Sequence, residues 1–572
     1  MTHTSPSVSF GIGYALEIKQ DSIPSAPDLQ PFSNILDLRT DNATNRPYAT
    51  YEPDFWLLDG EYKFLPSVLS TVHIGMFSTA MSGSDRLFTV SPVLTINFTE
   101  VHSLDSLTLK FAQYSNDYAD DIDVAFYDAT DTLIQSDSYY PASWEFSTGQ
   151  AIANFKKIII TFNRTNKAYR YLRLTGIDYG RSITFTGSAI KAASVVENTS
   201  ILSTEVIINT FNLCLYSADA EFSLINPAGD YASLAQRQPL AVYETVGNQT
   251  LFIGQYYLDT WENQSDTEIE FSCIDLVGVL DTMTFHGGIW LDAGIALEDL
   301  LAAILLPIAI PYDLDSTLYG AVVIGWIPIC SYREALQQIA FAVGAYVDCS
   351  RDRPLKIYPS PIVSASLDYD SAIIKAEKGA SQSLALKPAV TGVEITSHDL
   401  IEGTGSKKLY DGVLPVGAQE ITFSQPMHDL VITGATITES GANYALINVA
   451  DEGAVVLTGL VYVDTRRTYS IYTSGLSISV KPNIVKIEQA TLVNLSNAAT
   501  VTQRVYDYYQ QRYLQKVKLF ASQVATGDTV LIDALYNKKI RGVVEKMEID
   551  LAMGFTAQCE ITGVEHVIEE LS

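Results

Sequence analysis

The stretch EIEFSCIDLVGVLD, residues 268–281, changes its pattern halfway. In its first half Ile269, Phe271 and Cys273 alternate with charged or small residues, which is typical of a strand with one buried face. In its second half, residues 274–280 form a mostly apolar run without that alternation. The stretch therefore predicts a strand that ends at Cys273 and turns directly into a helical segment.

The cysteine in this stretch is either a catalytic nucleophile or a small apolar residue of the core. A reactive thiol needs a nearby base or positive charge, whereas the charged neighbours of Cys273 in the sequence are Glu268, Glu270 and Asp275. Free cysteine is also among the most frequently buried residue types. We therefore interpret Cys273 as a core residue.

Length and composition restrict the class of protein. The chain has 572 residues, 47% of them hydrophobic and 18% charged, so it can form several packed domains. Its formal net charge of −30 opposes binding to phosphate backbones, and we expect no specific nucleic-acid partner. The five cysteines form no CxxC pair, which fits neither a disulfide scaffold nor a zinc site.

The N-terminus and the most apolar segment bear on localisation. The first residues lack the basic start and apolar core of a secretory signal, which predicts synthesis in the cytoplasm. The segment LLAAILLPIAIPY, residues 300–312, is too short to cross a bilayer and contains two prolines. We expect a buried helix that runs into a turn, and no membrane anchor.

Short alternating segments dominate the chain before this helix. Antiparallel strands with one buried and one solvent-exposed face produce such alternation, so these segments predict a β-sandwich. The clearest are SLTLKFAQ (106–113), DVAFYD (123–128), KKIIITFN (156–163) and YRYLRLTGIDYG (169–180).

Two further helices are predicted. Ser331 and Glu334 have the spacing of a capping box, which places a helix start near Tyr332, and Gly344 is a suitable stop. Apolar and aromatic residues at helical spacing predict another helix over residues 500–516.

Sequence motifs for chemistry are lacking. The chain contains no HExxH, no GKS or GKT phosphate loop and no GxSxG elbow. We expect a protein that is not an enzyme, with no cofactor and no metal. One acidic run, NDYADDID, places Asp117, Asp120, Asp121 and Asp123 together, as a set of cation ligands or as a solvated acidic loop.

An aromatic run is the candidate binding site. SYYPASWEF, residues 138–146, contains Tyr139, Tyr140 and Trp144 in a predicted loop between strands. Exposed rings there can stack on the apolar CH faces of sugars, and the alternative is ordinary packing. Trp56, in the apolar segment FWLLDG, is interpreted as a core residue.

Several segments together resemble known families. YATYEPDFWLLDG (48–60), FTVSPVLTINF (88–98) and AYRYLRLTGIDYG (168–180) resemble the galactose-binding-like, discoidin-type jelly roll of tail proteins from phages of Gram-positive bacteria. Residues 252–281, 286–290 and 327–359 resemble the baseplate hub, or tail-tip, proteins of the same group. These segments are structural patterns, so the resemblance implies no active-site residue.

The resemblance implies an assembly. It predicts a homotrimeric ring that caps the tail tube and contacts other baseplate or tail-tip proteins, in a virion or a tail-like particle such as a bacteriocin or a contractile injection system. The sandwich is expected either to contact glycans of the host cell wall or to stiffen the tip. The alternatives are a freestanding carbohydrate-binding adhesin or host-recognition protein and a tail-associated cell-wall hydrolase.

The expected fold class is mainly β and multidomain. It combines a β-sandwich jelly roll with β-barrel-like hub domains and a small α/β part. The predicted domains are an N-terminal arm (1–45), a galactose-binding-like sandwich (46–182), a hub β-domain (183–285), an α/β hub domain (286–362) and a C-terminal β-rich hub domain with one helix (363–572).

Overall fold

A computed structural model describes residues 4–12, 16–39, 52, 74–112, 115–217, 220, 223, 226, 234, 236–246, 249–308, 310–351, 354–361, 367–369, 383–475, 481–521, 524–534, 538–552 and 554–566. The chain is mainly β and multidomain, which confirms the predicted fold class. Apart from Glu52, residues 48–60 lie outside the described residues, and the interpretation of Trp56 lies outside them too.

The chain divides into two compact units, each made of separate segments. Unit 1 comprises Met1–Ala193, Phe211–Cys273 and Arg351–Pro354, and unit 2 comprises Ser194–Thr210, Ile274–Ser350 and Leu355–Ser572. The boundary after Cys273 falls inside the stretch 268–281, where the pattern of the sequence changes.

The first strands in chain order belong mostly to unit 1. They are β1 (Thr4–Ile12), β2 (Ile23–Ser25), β3 (Met76–Met81), β4 (Val93–Leu104), β5 (Leu107–Phe111), β6 (Ala119–Tyr127), β7 (Leu133–Tyr139), β8 (Glu145–Ser147), β9 (Ile152–Thr165), β10 (Tyr171–Tyr179), β11 (Arg181–Thr186), β12 (Ile190–Asn198), β13 (Thr210–Tyr216), β14 (Pro239–Val246), β15 (Gln249–Ser265) and β16 (Glu268–Ile274).

The remaining strands belong to unit 2. They are β17 (Thr284–Phe285), β18 (Gly288–Ala296), β19 (Tyr312–Leu314), β20 (Val322–Ile327), β21 (Cys330–Ser331), β22 (Ala345–Asp348), β23 (Leu355–Pro359), β24 (Leu367–Tyr369), β25 (Ser383–Leu386), β26 (Gly392–Leu414), β27 (Gly417–Thr422), β28 (Met427–Thr433), β29 (Thr436–Ser440), β30 (Tyr444–Val449), β31 (Gly453–Tyr472), β32 (Ile484–Ile487), β33 (Tyr513–Phe520), β34 (Thr529–Asp533), β35 (Lys539–Asp550) and β36 (Thr556–His566).

The helices are fewer. They are α1 (Leu16–Asp21), α2 (Leu276–Asp281), α3 (Leu297–Leu305), α4 (Tyr332–Val343) and α5 (Ala498–Gln510), with short 3-10 turns at Ile35–Leu38, Gly187–Ala189 and Ser316–Leu318. Helix α3 confirms the helix predicted from the most apolar segment. None of the helices in the described part of the chain is long and apolar enough to cross a bilayer.

Unit 1 contains a β-sandwich. One sheet has the strand order β2-β4-β9-β6-β7 and the other has the order β3-β10-β5-β8. Alternate residues of both sheets enter a single apolar core, for example Phe155 and Phe162 from β9 and Leu174 and Tyr179 from β10. The four alternating segments of the sequence thus form strands that face one another across this core.

A buried ion triad fixes α1 to the sandwich. Lys19 Nζ of α1 lies 2.9 Å from Asp178 Oδ1 of β10, and Lys110 of β5 contacts the other oxygen of the same carboxylate. The side chains of Lys19 and Asp178 are only 4% and 15% exposed. Burial by itself raises the pKa of Asp178, but the charges of Lys110 and Lys19 outweigh it and hold this pKa well below its usual range.

Unit 1 also contains strands in the order β11-β1-β14-β15-β16-β13. In β16, Ile269, Phe271 and Cys273 are buried and their neighbours are partly exposed, as the alternation predicts. Cys273 is 1% exposed, which confirms it as a core residue. Burial, with a smaller effect of the nearby Asp259 charge, raises the pKa of the Cys273 thiol and disfavours the thiolate.

Glu244 is an acidic residue inside this sheet. It lies in β14 opposite Pro6 of β1 and Leu251 of β15, and it is 0% exposed. Neither carboxylate oxygen has a hydrogen-bond partner that meets the usual geometric limits among the described residues. Burial raises the pKa of Glu244 to about 8, and the nearby Ser5 backbone offsets only part of that rise.

The second half of the opening stretch forms α2 in unit 2. Asp275 caps this helix, because its Oδ1 accepts a hydrogen bond from the Gly278 amide at 3.0 Å. Its Oδ2 accepts from the Asn209 amide at 2.9 Å and from the Cys349 thiol at 3.1 Å. Burial raises the pKa of Asp275 to about 6, although these hydrogen bonds oppose the rise.

Helix α4 begins and ends as predicted. Ser331 Oγ accepts from the Glu334 amide at 3.1 Å, and the Glu334 carboxylate accepts from the Ser331 amide at 3.1 Å. Gly344 ends the helix with φ of 82°, a left-handed conformation that glycine adopts without steric cost.

Replacing Ser331 with alanine is expected to lower the free energy of unfolding of unit 2 by about 1 kcal/mol, because the Glu334 amide loses its acceptor. Thermal unfolding of the purified full chain measures the change. Thr282→Ala is a matched control, since the exposed Thr282 hydroxyl donates to the Val279 carbonyl of the preceding turn and Thr282 lies at the C-terminal end of its helix. An equal effect of both substitutions would contradict the role of the cap.

Helix α5 is shorter than the sequence predicts. It ends at Gln510, and Tyr513, which the helical spacing includes, begins β33 instead. In β33 the buried residues Gln515, Val517 and Leu519 alternate with more exposed neighbours. The pattern here therefore has the period of two of a strand and not the period of a helix.

The sheets of unit 2 are open. One runs β35-β36-β33-β25, another β28-β31-β26-β32 and a third β27-β30-β29. Closure into a barrel requires the two end strands of a sheet to be hydrogen-bonded to each other. Strand β25 is the last strand of its sheet, and all four of its residues are exposed. Within the described residues the domains expected to be barrel-like are therefore open sheets.

Candidate functional site

Tyr139, Tyr140 and Trp144 lie where β7 leaves the sandwich. Tyr139 is the last residue of β7, and its ring centre is 5.6 Å from that of Phe146. Its hydroxyl donates a hydrogen bond to Gln150 Oε1 at 3.0 Å. Burial, helped by the charge of Asp137, raises the pKa of Tyr139, so the hydroxyl remains a donor at neutral pH.

The other two rings have different surroundings. Trp144 is half-buried against the sandwich core, and its ring centre is 6.4 Å from that of Tyr243 in an edge-on arrangement. The side chain of Tyr140 is 69% exposed. In residues 139–144, all of which are described, no ring contact joins Tyr140 to the other two. The structure thus leaves one of the three predicted rings free to stack on a ligand.

The strand register surrounds Tyr140 with polar residues. Tyr139 pairs with Ile122 of β6, so Tyr140 follows at the level of Asp121, and Asp121 pairs with Arg164 of β9. Since Tyr139, Ile122 and Phe162 point into the core, Tyr140, Asp121, Asp123 and Asn163 beside them point outward. A register shift between Ile122 and Asp121 then places Arg164, whose side chain is 30% exposed, opposite Asp121 on the same face. We call the outward set Tyr140, Asp121, Asp123, Asn163 and Arg164 the Tyr140 face.

Hydrogen bonds hold the polar side chains of the Tyr140 face. Asn163 Nδ2 donates to Asp123 Oδ2 at 2.8 Å and, at 3.4 Å, to Asp121 Oδ1. Arg164 Nε donates to Asp120 Oδ1 at 2.7 Å, while Arg86 Nη1 donates to the other oxygen at 2.8 Å. The bond to Asp120 raises the pKa of Arg164, and the nearby Asp121 and Tyr140 add to the effect.

The acidic run is not the solvated loop or the cation site weighed from the sequence. Strand β6 begins at Ala119, so three of the four aspartates lie in a strand. The Asp117 carboxylate is bound by Lys167 at 2.8 Å, and Asp120 is held between two arginines. In the part of the chain that the structure describes, no group of His, Cys, Asp and Glu side chains is arranged to hold a metal ion.

Sequence reasoning singled out Asp121 and Asp123 of the Tyr140 face, but it did not find Asn163 and Arg164 or connect any of the four with Tyr140. Asn163 and Arg164 lie more than 20 positions from Tyr140, and they belong to β9, which is separated from β7 by β6. Only the register of the three strands brings them together, and no local motif indicates that register.

No family model matches the chain, and no curated protein matches it. Three solved structures of tail proteins resemble it at low similarity. The first is the 43 kDa tail protein of prophage MuSo2 from Shewanella oneidensis, with a TM-score of 0.38 and 11% identity over 66% of this chain and 94% of that chain. The second is the tail protein from Neisseria meningitidis MC58, with a TM-score of 0.38 and 10% identity over 66% of this chain and 93% of that chain. The third is prophage tail protein gp18 from Listeria monocytogenes EGD-e, with a TM-score of 0.37 and 8% identity over 67% of this chain and 92% of that chain. At these TM-scores the likeness carries no weight for function.

Proposed function

We propose that this protein is a structural hub of a phage tail or tail-like particle, in which three copies form a ring on the tail tube and contact other baseplate or tail-tip proteins. Its role is mechanical and not enzymatic. The chain is made in the bacterial cytoplasm and carried in the particle. The sandwich, a galactose-binding-like domain in this proposal, contacts glycans of the host surface.

One observation carries the proposal: two of the three segments that resemble hub proteins contain several whole structural elements. Residues 252–281 include most of β15 and all of β16 and α2, and residues 327–359 include β21, α4, β22 and β23. Their buried side chains, such as Phe271, Leu280 and Leu336, build cores. The resemblance therefore rests on residues that determine the fold.

The finer domain division remains part of this proposal. We propose a hub β-domain over residues 183–285, an α/β hub domain over 286–362 and a C-terminal hub domain over 363–572, preceded by the sandwich over 46–182 and an arm over 1–45. Each would contribute a separate surface to the ring.

The mass and symmetry of the purified full chain test the proposal. We expect particles of three times the 62.7 kDa chain mass, with threefold symmetry in electron micrographs. A stable monomer that binds glycans would favour the adhesin, for which the exposed ring of Tyr140 is the supporting observation. Hydrolysis of purified cell walls by the chain would overturn the non-enzymatic role.

A further inference from the structure

The Tyr140 face has the components of a site for sugar hydroxyl groups. It presents one exposed aromatic ring beside carboxylate, amide and guanidinium groups that are half-buried and held by hydrogen bonds. Pockets that bind small ligands combine apolar surface with a few fixed polar groups. Because these groups are held in place before binding, little side-chain freedom is lost when a ligand arrives.

Unused hydrogen-bonding capacity faces outward on this surface. The side chain of Arg164 is 30% exposed, and its terminal amino groups have no partner among the described residues, because Asp120 binds only Nε. Within the described part of the chain, the Asp121 carboxylate accepts only the long 3.4 Å bond from Asn163. A donor and an acceptor side by side match two adjacent hydroxyl groups of a sugar, each of which can donate and accept.

The local charge decides between neutral and acidic saccharides. Arg86 and Arg164 bring two positive charges, whereas Asp120, Asp121 and Asp123 bring three negative ones. The surroundings of the ring are therefore slightly negative, and a sugar carrying phosphate or carboxylate would be repelled.

We infer that the Tyr140 face binds a neutral, hydroxyl-rich saccharide through stacking on Tyr140 and hydrogen bonds to Asp121 and Arg164. This inference rests on the proposed contact between the sandwich and glycans, and it replaces a site of three stacked rings by one ring and a polar surface. Tyr139 and Trp144 support the strand end from the core side.

Titration of the purified full chain with defined sugars tests the inference. The probes are a neutral galacto-oligosaccharide, a neutral chito-oligosaccharide and an oligomer of galacturonic acid, each followed by calorimetry to millimolar concentration. We expect binding of at least one neutral probe and none of the acidic one. No binding of either neutral probe, or tighter binding of the acidic one, would overturn the inference.

Variants locate the site. Tyr140→Ala and Arg164→Gln are each expected to weaken binding of the neutral probe about tenfold or more, while Tyr140→Phe stays within about twofold because the ring remains. Tyr319→Ala is the matched control, because Tyr319 is a 61% exposed ring in unit 2 and should not affect binding.

Unfolding curves show whether each variant is folded. If Tyr140→Ala does not fold, Arg164→Gln still tests the site, and Tyr140→Phe tests whether the ring without its hydroxyl is enough. Binding that survives Tyr140→Ala but is lost in a folded Trp144→Ala variant would overturn the single-ring site. A threefold ring that binds no sugar would refute this inference and leave the hub proposal intact.

Discussion

Asp178→Asn is expected to lower the free energy of unfolding of the sandwich by about 3–5 kcal/mol at pH 7. The substitution removes the buried negative charge that Lys19, whose side chain is 4% exposed, and Lys110 both contact. Since the pKa of Asp178 is lowered in the fold, its contribution is present above the unfolded pKa and is lost as pH falls through and below that value. Calorimetric unfolding at pH 7 and in acid measures both effects.

Two further variants identify the cause. Asp131→Asn removes an ion pair in which Asp131 is 73% exposed, and it should change stability by less than about 1 kcal/mol. Adding Lys19→Met to Asp178→Asn should restore much of the loss, because the buried charge disappears. If Asp178→Asn behaves like the surface control, the triad does not stabilise α1 as described.

Relative to the unmodified protein, the Glu244→Gln variant is expected to become more stable as the pH rises. A carboxyl group with a pKa of about 8 in the fold, against 4.5 as the reference value, binds a proton that the unfolded chain releases between these values. The unmodified protein therefore loses up to about 1.4 kcal/mol of unfolding free energy per pH unit in this window, which the glutamine variant does not lose.

The measurement is the difference in unfolding free energy between the two proteins at pH 5 and at pH 8, which should grow by on the order of 2–4 kcal/mol. Glu262→Gln, at an exposed position of the neighbouring β15, is the control and should show no such growth. A difference that stays constant with pH would mean that Glu244 is ionised in the folded protein.

The sequence predicts elements whose cause is local. The alternation of Ile269, Phe271 and Cys273 predicts a buried strand face, and the spacing of Ser331 and Glu334 predicts a helix start, since in both cases the interacting groups are a few residues apart. The predicted end of α5 was wrong because Tyr513 fits both the helical spacing and the period of the following strand.

What the sequence does not predict depends on distant pairings. Lys19 and Asp178 are 159 positions apart, and nothing near either residue indicates the other. Likewise, the acidic run was weighed as a cation site or a solvated loop, whereas Asp117 and Asp120 form ion pairs with Lys167, Arg86 and Arg164 from distant parts of the chain. For the candidate site the sequence supplied the rings, and the register supplied the polar partners.

The division of unit 1 into separate segments has a consequence for folding during synthesis. Thr4 of β1 pairs with Val246 of β14, so this edge of β1 stays unpaired until more than two hundred further residues have been synthesised. At a ribosomal rate of about 5–20 residues per second, the wait is on the order of 10–50 s. During that time β1 exposes an unpaired strand edge, which is prone to pair with other chains. Because β11 pairs with the opposite edge of β1, the yield of native protein in the cell will depend on whether a chaperone protects the edge that awaits β14.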